Sequence, residues 1–121
     1  MQYRRFGNTN LPLSVFSLGT MRGLSDPSLF TKTLHQALQS GINHIETASA
    51  YGNSEINIGR ALQQLPERRS KVYLTTKLPP TPNPEQMAVA LAASLERLQV
   101  NYLDNVAIHG LNTWEHLAWV T

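Results

Sequence analysis

Strand-like and helix-like segments alternate along this chain at a nearly constant pitch. Apolar segments typical of β-strands begin near residues 15, 43, 71 and 103, at intervals of 28, 28 and 32 residues. Between them lie segments whose apolar residues recur at helical spacing. This alternation predicts βαβ units around a parallel sheet. Four units fit either a small doubly wound sheet or half of an eight-stranded barrel of about 250 residues, and the pitch alone does not choose between them.

Caps and turns place the boundaries of the predicted elements. A β-hairpin is predicted from segments 3–6 and 11–14, because the Asn and Gly residues between them tolerate the positive φ of tight turns. The later strands are predicted over residues 15–18, 42–46, 72–77 and 103–108. The helices are predicted from Asp26 to Gly41, over 54–65, from Asn83 to about residue 98, and from the cap Thr113 onward. Leu29 is assigned to the buried face of the first helix, and Gln86 to the reciprocal position of a capping box.

The composition fits one globular domain and limits its partners. The chain is 41% hydrophobic and 15% charged, and its net charge of +2 does not call for nucleic acid. The basic cluster of Arg68, Arg69 and Lys71 is interpreted as a solvated loop, because no aromatic residues interleave with it. The absence of cysteine excludes disulfides and thiolate metal sites within this chain, and no metal is expected. No apolar run is long enough to cross a bilayer, so we expect no membrane association and a cytoplasmic location.

Titratable side chains gather at one end of the predicted sheet. Glu46, Lys77 and His109 each stand at the carboxyl end of a predicted strand, and Tyr51 lies in the loop after the second of them. In barrels, active sites form at that end. Each residue also has a structural interpretation, since a lysine at a strand end is commonly solvated and a lone histidine is commonly a hydrogen-bonded core residue. Residues 19–23 fit no phosphate-binding glycine pattern, which argues against a Rossmann fold.

The four residue types together suit carbonyl reduction. Adding a hydride to a carbonyl requires a proton for the developing alkoxide, and a tyrosine with a pKa of about 10 is a poor acid at neutral pH. A neighbouring ammonium group favours the phenolate and lowers that pKa. A carboxylate keeps the ammonium charged and in place, and a neutral imidazole can orient the substrate oxygen by a hydrogen bond.

Three separate motifs resemble the aldo-keto reductase superfamily. They are Gly-Ile-Asn-His-Ile-Glu-Thr-Ala-Ser-Ala-Tyr-Gly-Asn-Ser-Glu at 41–55, Thr-Thr-Lys at 75–77, and Ser-Leu-Glu-Arg-Leu-Gln-Val-Asn-Tyr-Leu-Asp at 94–104. His109 falls where the family keeps its catalytic histidine. The resemblance implies an α/β fold: an N-terminal hairpin followed by about four βα units of a (β/α)8 TIM barrel.

The resemblance also implies an activity and roles for particular residues. Family members use NADPH, less often NADH, to reduce aldehydes and ketones to alcohols. By position, Tyr51 would be the general acid, Lys77 the group that lowers its pKa, and His109 the orienting residue. The turn formed by Gly19, Thr20 and Met21 aligns with a segment near the nicotinamide end of the cofactor.

Two departures from the family pattern shape the expectations. Glu46 stands where most members have Asp, and the Ile-Glu-Thr-Ala version resembles a branch that carries a C-terminal, iron–sulfur ferredoxin-like domain. The family binds most of the cofactor with the second half of its barrel, which has no counterpart in residues 1–121. We therefore expect a single partial domain over 1–121 that acts on a small carbonyl substrate only within a complete barrel, and that alone is inactive and holds no cofactor tightly. The alternatives are a non-catalytic half-barrel that assembles with itself or with a missing C-terminal half, and a truncation product without function.

Overall fold

The chain opens with a hairpin and continues as a parallel sheet. In the computed structural model, which describes residues 1–22 and 25–121, strands β1 (Tyr3–Arg5) and β2 (Pro12–Ser14) pair antiparallel around a 3-10 turn. Within the described residues, four further strands form one parallel sheet in sequential order: β3 (Leu18–Gly19), β4 (His44–Glu46), β5 (Tyr73–Leu78) and β6 (Asn105–Ile108). Helices alternate with them: α1 (Pro27–Gln39), α2 (Ser54–Gln63), α3 (Pro84–Leu98) and α4 (Trp114–Ala118). The predicted hairpin and βα repeats are confirmed. Gly23, the last residue of the segment compared above with phosphate-binding glycine patterns, lies outside the described residues.

Local capping starts three of the helices as predicted. The Asp26 carboxylate accepts the amide hydrogens of Ser28 and Leu29, at 2.8 and 3.2 Å. Asn83 and Thr113 cap α3 and α4 in the same way. These bonds satisfy amide groups that have no partner inside the helix.

The predicted capping box at α3 takes a different form. The Gln86 Oε1 atom accepts from the Thr81 hydroxyl at 2.9 Å, and the Asn83 amide donates to Thr81 Oγ1 at 3.2 Å. A hydroxyl both donates and accepts, so Thr81 links the two groups that a capping box would join directly.

The core lies between the sheet and its helices. Ile45 of β4 and Leu74 of β5 are fully buried against Leu34 of α1, Ile58 of α2 and Leu98 of α3. Because strand side chains alternate between faces, His44, Glu46, Thr75 and Lys77 point to the opposite side of the sheet. The helix-covered face therefore carries the packing, and the other face carries polar groups.

Helices α2 and α3 approach closely at Gly59. A Cβ atom built on Gly59 would lie 2.7 Å from the Leu98 carbonyl oxygen and 2.9 Å from that of Arg97. Only a residue without a side chain leaves room for the α3 backbone at this position.

Two packing predictions are wrong at particular residues. The predicted strand over 15–18 pairs only from Leu18, and Val15 and Phe16 are 47% and 66% exposed. The Val15 amide donates to Gln2 and the Phe16 carbonyl accepts from the Ser14 hydroxyl, which keeps this segment with the hairpin. Leu29 is 50% exposed, because the buried stripe of α1 runs through Phe30, Leu34 and Leu38.

The interpretation of the basic cluster as a solvated loop is wrong for Arg69. Arg69 lies in a 3-10 helix, Pro66–Lys71, with its guanidinium 3.3 Å from the Asp104 carboxylate and 3.8 Å from the centre of the Tyr102 ring. It also donates to the carbonyls of Val72 and Tyr102, at 2.8 Å each. The interaction fastens the start of β5 to the segment before β6, whereas Lys71 of the same cluster is exposed.

Among the described residues, none of the helices combines the length and apolar character needed to cross a membrane.

Candidate active site

The strand ends bring the predicted site residues together. Glu46 is the last residue of β4, Lys77 is next to last in β5, and His109 directly follows β6. The parallel register places Glu46 beside Thr75 and Lys77 beside Ala107, so all three side chains emerge at the carboxyl end of the sheet.

Main-chain hydrogen bonds fix the loop that carries Tyr51. The Ser49 amide and hydroxyl both donate to the Lys77 carbonyl, at 3.0 and 3.2 Å. The Tyr51 amide donates to Ala48, and the Ser54 amide donates to the Tyr51 carbonyl, both at 3.0 Å. The loop is thus attached to the end of β5 through its own backbone.

The four side chains form one contact cluster. Lys77 Nζ forms an ion pair with Glu46 Oε1 and donates to Tyr51 Oη at 3.0 Å. The His109 ring lies 5.5 Å from the Tyr51 ring, centre to centre, and nearly perpendicular to it, at 88°. The sequence identifies all four residues, and the structure brings all four together.

The Lys77 ammonium lies between Glu46 and Tyr51 in the cluster. Burial lowers the pKa of the Lys77 ammonium from its usual value, and the adjacent Glu46 carboxylate favours the charged form. A cation that donates a hydrogen bond to a phenolic oxygen stabilises the phenolate more than the phenol. Glu46, Lys77 and Tyr51 therefore form a continuous chain of contacts.

The cluster borders an open cleft of about 790 Å³. Tyr51, His109 and Met21 line it, together with one face of α2, whereas Lys77 and Glu46 do not. Of the three residues assigned to the cofactor, Met21 faces this cleft, and Gly19 has open space where a Cβ would stand.

Thr20 has a different environment from the one expected. It is buried, and its hydroxyl accepts from the Ser54 hydroxyl at 2.7 Å and donates to the Glu46 carbonyl at 2.9 Å. Thr47 joins through Ser54 at 3.0 Å. This hydroxyl network fastens the first turn of α2 to the ends of β3 and β4. Its partners lie up to 34 residues apart, so no local sequence signal reveals it.

A buried carboxylate behind the site has no role in the sequence prediction. Glu55 is 1% exposed, and its two oxygens accept from the Thr76 hydroxyl and from Arg97 Nε, both at 2.6 Å. Arg97 also donates to Ser94 at 3.0 Å. The pair joins α2 and α3 to β5 at the residue directly before Lys77.

His44 extends the polar face below the cluster. Its Nδ1 atom lies 2.7 Å from the Ser17 hydroxyl, and its Nε2 atom lies 2.8 Å from the Thr75 hydroxyl. Burial lowers the pKa of His44, and the negative charge of Asp104 opposes that change. The folded chain therefore favours the neutral imidazole.

We expect the free energy of unfolding to fall as the pH drops from about 7 to about 5. The pKa of His44 is lower in the folded than in the unfolded chain, so the unfolded chain binds more protons in that range, and stability rises with pH. Urea titrations at several pH values measure the slope. His44→Gln should flatten it. An equal slope in His44→Gln and the wild type would refute the role of His44.

In the part of the chain that the structure describes, no group of three or more His, Asp or Glu side chains is arranged to hold a metal ion.

Comparisons with known proteins extend over most of the chain. The model of the Aldo/keto reductase family matches residues 15–118. The chain is 48% identical over 77 residues to an aldo-keto reductase of Mycobacterium sp. (strain KMS), covering 60% of this chain and 26% of that protein. It is 33% identical to the NADH-specific methylglyoxal reductase of Escherichia coli (strain K12), covering 85% of this chain and 40% of that protein. The chain thus spans well under half the length of either relative.

Solved structures agree with the fold. The aldo-keto reductase of Klebsiella pneumoniae in complex with NADPH matches with a TM-score of 0.77 at 29% identity, covering 89% of this chain and 39% of that one. The matched structures are aldo-keto reductase barrels, and the hairpin and βα units described above correspond to part of such a barrel.

Proposed function

Since this chain belongs to the aldo/keto reductase family of oxidoreductases, we propose that it supplies the proton-donating residues for reduction of an aldehyde or ketone to an alcohol by NADPH or NADH. The observation that carries the proposal is the hydrogen bond from Lys77 Nζ to Tyr51 Oη, at 3.0 Å, with Glu46 paired to the same ammonium. This is the arrangement that carbonyl reduction requires of a tyrosine acid.

The described residues suit the nicotinamide end of such a cofactor. Met21 lines the cleft beside Tyr51, and the space beside Gly19 allows a planar group to approach the backbone. The similarity to a structure bound to NADPH and to an NADH-specific enzyme supports a nicotinamide cofactor of either kind. When bound, the cofactor supplies the hydride that adds to the carbonyl carbon.

The side chains of this chain handle the proton. Tyr51 Oη–H donates to the carbonyl oxygen and transfers its proton as negative charge develops there. Lys77 stabilises the resulting phenolate, Glu46 holds Lys77 charged and in position, and the phenolate regains a proton from water. His109, beside the Tyr51 ring, donates a second hydrogen bond that orients the substrate oxygen.

The proposal includes a division of labour within a larger barrel. Within the described residues, β3 and β6 each pair with a single neighbour, so both outer edges of the sheet are open. We propose that residues 1–121 form a partial domain, that the remaining cofactor contacts come from outside these residues, and that the isolated chain is inactive.

The open edges also favour a second candidate, a half-barrel whose role is assembly. Light scattering after size exclusion would detect a dimer of this chain, and titration with NADPH would detect cofactor binding. A stable dimer without affinity for NADPH supports assembly, whereas turnover excludes that candidate.

The experiment that tests the main proposal follows oxidation of NADPH and NADH with a panel of aldehydes and ketones. It compares the chain alone with the chain fused to the complementary residues of the Escherichia coli relative. We expect reduction by the fusion and none by the chain alone. Failure of both to reduce any carbonyl would overturn the proposal, and turnover by the chain alone would refute the division of labour.

Glu46→Asp should keep kcat/KM within about tenfold, whereas Glu46→Gln should lose more than that. An aspartate retains the charge that Lys77 needs, so its only cost comes from moving the carboxylate by about 1 Å. A glutamine has the same length and no charge, so it serves as the matched control. A larger loss in Glu46→Asp than in Glu46→Gln would show that length at this position matters more than charge.

A further inference from the structure

A groove between α1 and α2 continues the cleft away from Tyr51. A second cavity of about 330 Å³ lies between the two helices, and Pro27, Asn57 and Arg60 line both spaces. The α1–α2 groove, defined here by Pro27, Lys32, Asn57 and Arg60, is therefore continuous with the proposed site of reduction.

One face of α2 forms the wall of the groove. Asn53, Asn57 and Arg60 stand at helical intervals of four and three residues, which places them on the same face. A rise of 1.5 Å per residue separates Asn53 from Arg60 by about 10 Å along the axis. Long helical side chains lean toward the N-terminus, so Arg60 extends toward Asn57 and the Tyr51 end of the cleft.

Asn57 has polar capacity that the described residues do not use. It is 7% exposed, it lines both cavities, and no described residue hydrogen-bonds to its side-chain amide. The Asn57 amide is therefore available to donate to, and accept from, a molecule in the adjoining space. The adjoining space is the α1–α2 groove.

The charges around the groove have one sign. Arg60 and Lys32 contribute positive charge, and no carboxylate occurs among the described residues that line either cavity. Asp26, next to Pro27, is already bound to the first amide groups of α1, and Glu55 is paired with Arg97. A cleft lined by one sign of charge concentrates ligands of the opposite sign.

We infer that the α1–α2 groove binds a carboxylate or phosphate at the far end of the carbonyl substrate. Arg60 would hold the anion through its paired N–H groups, and Asn57 would donate from its amide. The carbonyl of the same molecule would then lie at Tyr51. This inference rests on the proposed function and names its substrate class: short carbonyl compounds that carry an anionic group.

The kinetic test compares substrates that differ in that charge. The fusion enzyme is assayed with 4-oxobutanoate and 6-oxohexanoate, and with the neutral aldehydes butanal and hexanal. Arg60→Met should lower kcat/KM for the carboxylated aldehydes by about tenfold or more, mainly through KM, since it removes charge-assisted hydrogen bonds to the carboxylate. The neutral aldehydes should be unaffected, and Arg4→Met, which changes an exposed arginine on the hairpin, should affect neither class.

A binding test on the chain itself needs no turnover. Glutarate is titrated into the isotope-labelled chain while the side-chain amide resonance of Asn57 is followed by NMR. We expect a saturable shift in the wild type and in Arg4→Met, and its loss in Arg60→Met.

The two tests separate this inference from the proposed function. If no aldehyde is reduced but glutarate shifts Asn57 in an Arg60-dependent way, the reductase proposal fails and the anion site stands. If aldehydes of both classes are reduced, Arg60→Met leaves their ratio unchanged and glutarate produces no shift, the anion site is refuted alone. If Arg60→Met instead raises KM for NADPH at a constant ratio, the groove binds a cofactor phosphate, and the inference is overturned.

Discussion

Tyr51→Phe should lower kcat/KM for carbonyl reduction by about 10²–10⁴-fold, the range that general acid catalysis contributes. The substitution removes one oxygen atom, the one that accepts the hydrogen bond from Lys77 Nζ. The ring remains, so its packing against His109 should persist, and cofactor binding should change little. Assays of NADPH oxidation with the fusion enzyme measure kcat/KM, and fluorescence titration with NADPH measures cofactor binding.

Tyr102→Phe is the matched control for this result. Tyr102 is 44% exposed and packs its ring against Arg69, away from the cleft, so loss of its hydroxyl should leave kcat/KM unchanged. Residual activity above a tenth of the wild-type value in Tyr51→Phe, with Tyr102→Phe intact, would remove Tyr51 from the role of acid.

Gly59→Ala should lower the free energy of unfolding by about 2–3 kcal/mol, near the upper end of the cost of overpacking. At an exposed helix position, the same change stabilises by about 1 kcal/mol. The sign reverses here because the new methyl group would stand 2.7 Å from the Leu98 carbonyl oxygen, which belongs to backbone and cannot rotate away. Urea denaturation followed by circular dichroism measures the change.

Gly19→Ala provides the comparison for Gly59. No neighbouring atom lies within 4 Å of a Cβ built at Gly19, so its effect on unfolding should be within about 0.5 kcal/mol of zero. A neutral or stabilising effect of Gly59→Ala would mean that α2 and α3 can move apart at little cost.

Features encoded by neighbouring residues could be predicted from the sequence, and those that depend on distant partners could not. Asp26 and Thr113 cap helices through amides two or three residues away, so local pattern places them correctly. Arg69 resembles a surface residue until Asp104, 35 positions later, folds against it. Glu55 is likewise unremarkable in sequence, because Arg97 lies 42 residues away.

The site was predictable for a topological reason. Parallel strands place their carboxyl ends at one edge, so Glu46, Lys77 and His109 could be expected there without knowledge of their distances. The same rule says nothing about Thr20, whose hydroxyl turns into the protein to meet Ser54. Direction along a strand can be read from sequence, but the choice of hydrogen-bond partner depends on packing.

The backbone attachment of the Tyr51 loop also bears on how this scaffold can be altered. The bonds that locate the loop run between main-chain groups of Ala48, Tyr51 and Ser54, and from Ser49 to the Lys77 carbonyl. The side chains of Ala50 and Asn53 line the cleft but take no part in those bonds. Libraries that randomise these two positions can therefore diversify the cleft wall while the phenolic oxygen keeps its coordinates. The contacts that the cleft offers can change there independently of Tyr51, which is the property that directed evolution of a binding cleft needs.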